Sequence, residues 1–112
     1  MATFSGKSKV KKIIKGYIKE LKPFIKIERV ILFGSQVKGG AHRDSDIDFI
    51  IISPDFKKME FMERLIWLSK MRGEKFMSPA MDIFGYTPEE FKKLSKESIV
   101  LEEAKKEGVL IK

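Results

Sequence analysis

From Val10 the apolar residues fall at Ile13, Ile14, Tyr17, Ile18 and Leu21, with lysines 11, 12, 15, 19 and 22 between them. Steps of three, four and seven mark one face of a helix, so the pattern predicts an amphipathic helix ending near Pro23, its basic side in solvent. Residues 28–33, ERVILF, are a β-branched and aromatic run that stops at Gly34 and predicts a buried strand. A second strand is expected at 46–53, DIDFIIIS, which closes before Pro54. Residues 58–72 predict a helix, and 78–86, SPAMDIFGY, a third strand. Thr87, Pro88 and Glu90 then form a capping-box start for a short helix to about Leu94. A further helix is expected over 98–106, ending at Gly108, with an edge strand at 109–111.

The order helix, strand, strand, helix, strand, helix, helix predicts a small α/β (α+β) domain, a short mixed sheet with helices packed on one side. At 112 residues there is material for one core, so a single domain is expected over 1–112. On a helical wheel of 58–72, Phe61, Met62, Leu65, Ile66 and Leu68 make one broad stripe. Trp67 and Met71 fall on the other side among Glu60, Glu63 and Arg64, which suits a homodimer or partner surface to which Trp67 contributes; the alternative is packing against the C-terminal helices.

Composition narrows the chemistry. There is no cysteine and one histidine, His42, so a disulfide framework and a zinc centre are both disfavoured. No run approaches the length of a membrane span, and the opening MATFSGKSKVKK lacks a secretory core; a cytoplasmic protein is expected. The net charge of +7 fits a polyanionic partner such as nucleic acid or nucleotide phosphates. It also fits the lysine-rich solvated surface of a heat-adapted protein.

Chemistry concentrates in FGSQVKGGAHRDSDIDF, residues 33–49. Alternate residues of a strand share a face, so Asp46 and Asp48 stand together, roughly 6 to 7 Å apart at their Cα atoms. Two carboxylates at the start of a buried strand need a counter-charge, and paired hard oxygens with open positions suit Mg²⁺. Asp82 lies between Met81 and Ile83 on the third strand. If that strand pairs beside the second, three carboxylates share one face and could clamp two cations about 4 Å apart for phosphoryl displacement. Gly34 permits a tight turn and close ligand approach, and Ser35 offers a hydroxyl at a turn whose backbone N–H groups favour phosphate. Lys38 and Arg43 can neutralise a triphosphate, so the segment reads as phosphate plus metal. In the plainer reading Asp44 and Ser45 are turn residues, Gly39 and Gly40 a flexible loop, His42 an exposed loop residue, and Asp82 an edge acid paired with a lysine.

The string GSQVKGGAHRDSDID resembles the nucleotidyltransferase signature of the DNA polymerase β superfamily, and is most similar to the minimal nucleotidyltransferases, whose usual form is GSxxRGxAxxxSDIDL. Gly34, Ser35, Gly39, Ala41, Ser45, Asp46, Ile47 and Asp48 match, and Lys38 stands where the family has Arg. Asp82 falls where the family places its third carboxylate. The resemblance implies the nucleotidyltransferase fold and an ATP-dependent transfer with Mg²⁺ held in a two-ion site. Asp46, Asp48 and Asp82 would be catalytic and bind metal, Asp82 as base, while Gly34 and Ser35 grip the triphosphate. Lys38 would replace a planar fork by a point charge.

Minimal nucleotidyltransferases are commonly encoded beside a HEPN protein, an all-helical ribonuclease toxin, and members act as its antitoxin by transferring AMP to a toxin tyrosine. The resemblance implies that activity here. The alternatives are an antitoxin that neutralises by binding alone, and a transferase acting on a small molecule or RNA, for which the basic N-terminal helix is the supporting feature.

Overall fold

The computed structural model describes residues 5–33, 47–73, 81–94, 98, 101–102, 104–105 and 108–110. Its first element, α1, spans Ser5–Leu21, five residues earlier than the apolar pattern alone suggested. Val10, Ile14, Tyr17, Ile18 and Leu21 are buried, as the spacing required. Strands β1 (Arg29–Phe33) and β2 (Ile47–Ile52) pair antiparallel, from Arg29 opposite Ile52 to Phe33 opposite Asp48. A 3-10 turn at Pro54–Lys58 follows, started by Ser53, whose Oγ accepts from the Asp55 N–H at 3.1 Å. It occupies the start of the expected 58–72 helix, so α2 begins only at Phe61 and runs to Arg72.

Strand β3 (Met81–Tyr86) lies parallel to β2, with α2 as the crossover, and the sheet order is β3-β2-β1-β4. Helix α3 spans Pro88–Leu94. Its start is the expected capping box: the Thr87 N–H donates to the Glu90 carboxylate at 2.8 Å, and the Glu90 N–H to Thr87 Oγ1 at 3.1 Å. Residues 101, 102, 104 and 105 are helical, and the Leu101 N–H donates to Ser98 Oγ at 3.3 Å. Strand β4, Val109–Leu110, is the expected edge, antiparallel to β1. It is reached through Gly108, where a Cβ would collide with the Ala104 carbonyl and the Ile31 side chain.

The sheet is covered on both faces, a correction to one-sided packing. Val30, Leu32, Ile47, Phe49, Ile51, Met81 and Ile83 meet α1 and Leu68 of α2 in one cluster. Ile31, Phe33, Ile50, Ile52 and Tyr86 meet Phe91 of α3 and the helical Leu101 and Ala104 in a second. That explains why β2 reads as a nearly continuous apolar run: its residues are buried on alternate sides.

Helix α2 is also turned relative to the wheel. Phe61, Met62 and Ile66 are exposed, whereas Arg64 and Leu68 are buried and Trp67 and Met71 pack against the first cluster. Trp67 therefore does not head an outward surface. The inward line 64, 67, 68, 71 has ordinary helical spacing, but a cation opens it, and a buried charge disguises a core stripe. Arg64 is 4% exposed. Its Nε donates to the Met59 carbonyl at 3.0 Å and its Nη1 to the Gly85 carbonyl at 3.2 Å. Nη1 and Nη2 grip both oxygens of Glu90 at 2.5 and 3.1 Å, and the guanidinium lies over the Phe56 ring, 5.7 Å from its centroid.

Burial pushes the Glu90 carboxyl up, but hydrogen bonds from Arg64 and Thr87 outweigh it and hold the group below its ordinary value. A carboxyl lowered in the folded state stabilises the fold above its unfolded value of about 4.3, and the contribution fades as pH falls through the depressed value. Acid titration of unfolding free energy is thus expected to show a shallower acid limb for Glu90→Gln than for wild type. Coinciding slopes would contradict this.

At the other end of α2, the buried Tyr17 hydroxyl donates to the Leu68 carbonyl at 2.6 Å, tying α1 to α2. Tyr17→Phe keeps the edge contact with Phe49, whose ring centroid is 6.0 Å away, and loses the bond to Leu68. A loss of about 1 kcal/mol in denaturant-measured stability is expected.

Candidate active site

Asp48 and Asp82 are Cα partners in the parallel β2–β3 ladder. Neighbouring strands lie about 4.8 Å apart and residues in register point to the same face, so the two carboxylates stand side by side. By the period of two, that face also carries Ile50, Ile52, Phe84 and Tyr86, the face of the second cluster. Asp82 is exposed and Asp48 half-buried. Strand β3 is an edge of the sheet and Asp82 is exposed on it, as the plainer reading expected, while its neighbour on the ladder is the carboxylate of Asp48.

Several features hold the pair in place. Phe33, opposite Asp48 on β1, and Phe84, two residues after Asp82, put their ring centroids 6.2 Å apart and form an apolar floor beside the acids. Arg72, the last residue of α2, donates from Nη1 to the Met81 carbonyl at 3.1 Å and so fixes the start of β3 next to Asp82. Neither Phe84 nor Arg72 was singled out from the sequence. Phe84 could have been found there, since it stands two residues after Asp82 and so on the same face of the strand. The bond made by Arg72 follows from the crossover, which a single sequence does not display.

Gly34, Ser35, Lys38, Gly39, His42, Arg43 and Asp46 lie outside the described residues. Phe33 and Ile47, which flank segment 34–46, both stand at the end of the sheet that carries Asp48. Among the described residues no group of three His, Cys, Asp or Glu side chains is placed to hold a metal ion; they supply the two acids, and Asp46 precedes Ile47 directly.

Comparison with known proteins gives these acids a context. The nucleotidyltransferase domain family matches residues 11–107. This chain belongs to that family. Two solved structures share the nucleotidyltransferase fold with it. One is a crystal structure of a protein from Sulfolobus solfataricus described as a nucleotidyltransferase, with a TM-score of 0.64 at 21% identity, covering 98% of this chain and 89% of that one. The other is a crystal structure of a toxin–antitoxin with AMP-PNP, with a TM-score of 0.57 at 23% identity, covering 91% of this chain and 72% of that one. No curated protein matches the sequence. Among the described residues of this nucleotidyltransferase domain, no helix is long and apolar enough to cross a membrane.

Proposed function

We propose that this nucleotidyltransferase domain transfers AMP from ATP, with Mg²⁺, to an acceptor hydroxyl, a tyrosine of a HEPN-type toxin for which it serves as antitoxin. The observation that carries the reading is the in-register placement of Asp48 beside Asp82. Two adjacent carboxylates, one exposed and one half-buried, are a poor structural device because they repel, and a good hard-oxygen donor set for a divalent cation. The nucleotide analogue and toxin–antitoxin assembly of a structural neighbour point the same way.

In this reading Asp46, Asp48 and Asp82 hold Mg²⁺, which when bound neutralises charge on the phosphates. Gly34 and Ser35, with Lys38 and Arg43, hold the triphosphate. Asp82, the more exposed acid, takes the proton of the acceptor hydroxyl as its oxygen bonds to the α-phosphorus and the bond to pyrophosphate breaks. The Phe33–Phe84 floor keeps water from one side of the carboxylates and strengthens their interaction with a cation.

The test is calorimetric titration with ATP. Saturable binding in Mg²⁺, lost on adding EDTA, is expected. Equal affinity with and without the chelator would contradict a metal-bridged nucleotide.

A further inference from the structure

The proposed transfer leaves the opposite face of the sheet without a role, although a row of exposed lysines lies there. Helix α1 buries Val10, Ile14, Tyr17 and Leu21 against the first cluster, on the far side of the sheet from Asp48 and Asp82. Its outward side carries Lys12, Lys15 and Lys19, and the row continues through Lys22 and Lys26, all exposed. Within α1 the steps of three and four keep Lys12, Lys15 and Lys19 in one line at roughly 4.5 to 6 Å of rise, and Lys22 and Lys26 follow in the turn after Leu21 and the segment leading to β1. The single acid of α1, Glu20, stands about 100° around the helix from Lys19.

A lysine row alone is an ordinary solvated face. What distinguishes this one is Phe24, 64% exposed between Lys22 and Lys26. Its ring makes an edge contact with Trp67, centroids 6.4 Å apart at 77°. Its backbone is fixed as well: the Phe24 and Ile25 N–H groups both donate to the Leu21 carbonyl, and the Lys26 N–H to the Asp55 carboxylate at 2.7 Å. An aromatic ring set on a rigid turn, exposed to solvent and flanked by cations, is a place for a base to stack while the lysines follow its phosphates.

We propose that the Lys12–Lys15–Lys19–Lys22–Lys26 row and Phe24 form a binding strip for single-stranded nucleic acid, on the face of the sheet opposite the carboxylate pair. An acidic protein would satisfy the lysines and leave Phe24 without a purpose. Duplex would meet the charges without offering an unpaired base to the ring.

The experiment is fluorescence anisotropy of the full chain with labelled oligouridylate and oligothymidylate of about 15 nucleotides, a duplex of equal length, and polyglutamate as competitor. Both single strands are expected to bind, with a log–log salt slope of about −3, which is roughly −0.7 for each of four to five phosphates. Replacing Lys15 and Lys19 by Gln should make the slope shallower by about 1.4. Phe24→Ala should weaken binding about tenfold at unchanged slope, and Phe24→Leu, which keeps an apolar group against Trp67, should weaken it similarly. Asp82→Asn should bind as wild type does, which separates this surface from the transfer site. The proposal is overturned by any of three results: no saturable binding at about 50 mM salt, duplex or polyglutamate matching the single strands, or full affinity in both Phe24 variants.

Discussion

Replacing Asp82 by Asn is expected to lower AMP transfer by roughly 10²- to 10³-fold, the scale on which one charge-stabilising group acts at a phosphoryl or acyl centre. The amide keeps the shape of the carboxylate but loses its charge and its ability to take a proton. Because Asp82 is exposed and its backbone stays in the β2–β3 ladder, the thermal midpoint should hold or rise as repulsion with Asp48 is relieved. Loss of transfer with an unchanged circular dichroism spectrum would place the defect in the chemistry. Retention of near wild-type transfer would remove Asp82 from the site. Asp48→Asn should behave alike in transfer.

The largest effect on stability is expected at Arg64, on the same crossover unit but at the other end of β3. Truncation to Ala strips partners from the carbonyls of Met59 and Gly85 and from both oxygens of Glu90. It also empties the space over the Phe56 ring, which packs against Gly85 so closely that a Cβ there would come within 2.8 Å of Phe56 Cε2. Breaking a buried pair by removing one member costs about 3 to 5 kcal/mol; the lower end is expected, because the Glu90 side chain is 35% exposed and water can reach it. Urea denaturation of Arg64→Ala measures the loss. A change below about 1 kcal/mol, the scale of an exposed pair, would show that water replaces the guanidinium without penalty.

These two positions show what a single sequence displays and what it hides. Asp48 and Asp82 stand out in the sequence as candidates because both break an apolar run, which is an expensive place for a carboxylate without a purpose. Their mutual register was not legible. It depends on the parallel crossover through α2, and nothing in 78–86 states which strand is its neighbour. The first helix, β1, β2, the Thr87–Glu90 capping box and the edge at 109–110 followed from local patterning and turn chemistry.

Helix α2 was misread for a specific physical reason. Its inward line begins with Arg64, whose charge is satisfied by tertiary partners 21 to 26 residues away, while Met62 and Ile66 remain outside at 64% and 54% exposure. Hydrophobic periodicity assigns the core to the apolar side, and here a satisfied cation takes a core position. Two-sided coverage of the sheet was missed because the face that Phe91, Leu101 and Ala104 reach is set by the path of the chain after β3, which local periodicity does not state.

The central claim is transfer of the α-phosphoryl group with its nucleoside. It is tested most directly by incubating the protein with Mg²⁺ and the product of the gene encoded beside it, in parallel with α-labelled and γ-labelled ATP. Label on that partner from α-labelled ATP alone, abolished by EDTA, is the predicted result. Label from γ-labelled ATP, or no label in a mixture where the two proteins form a stable complex, would contradict it.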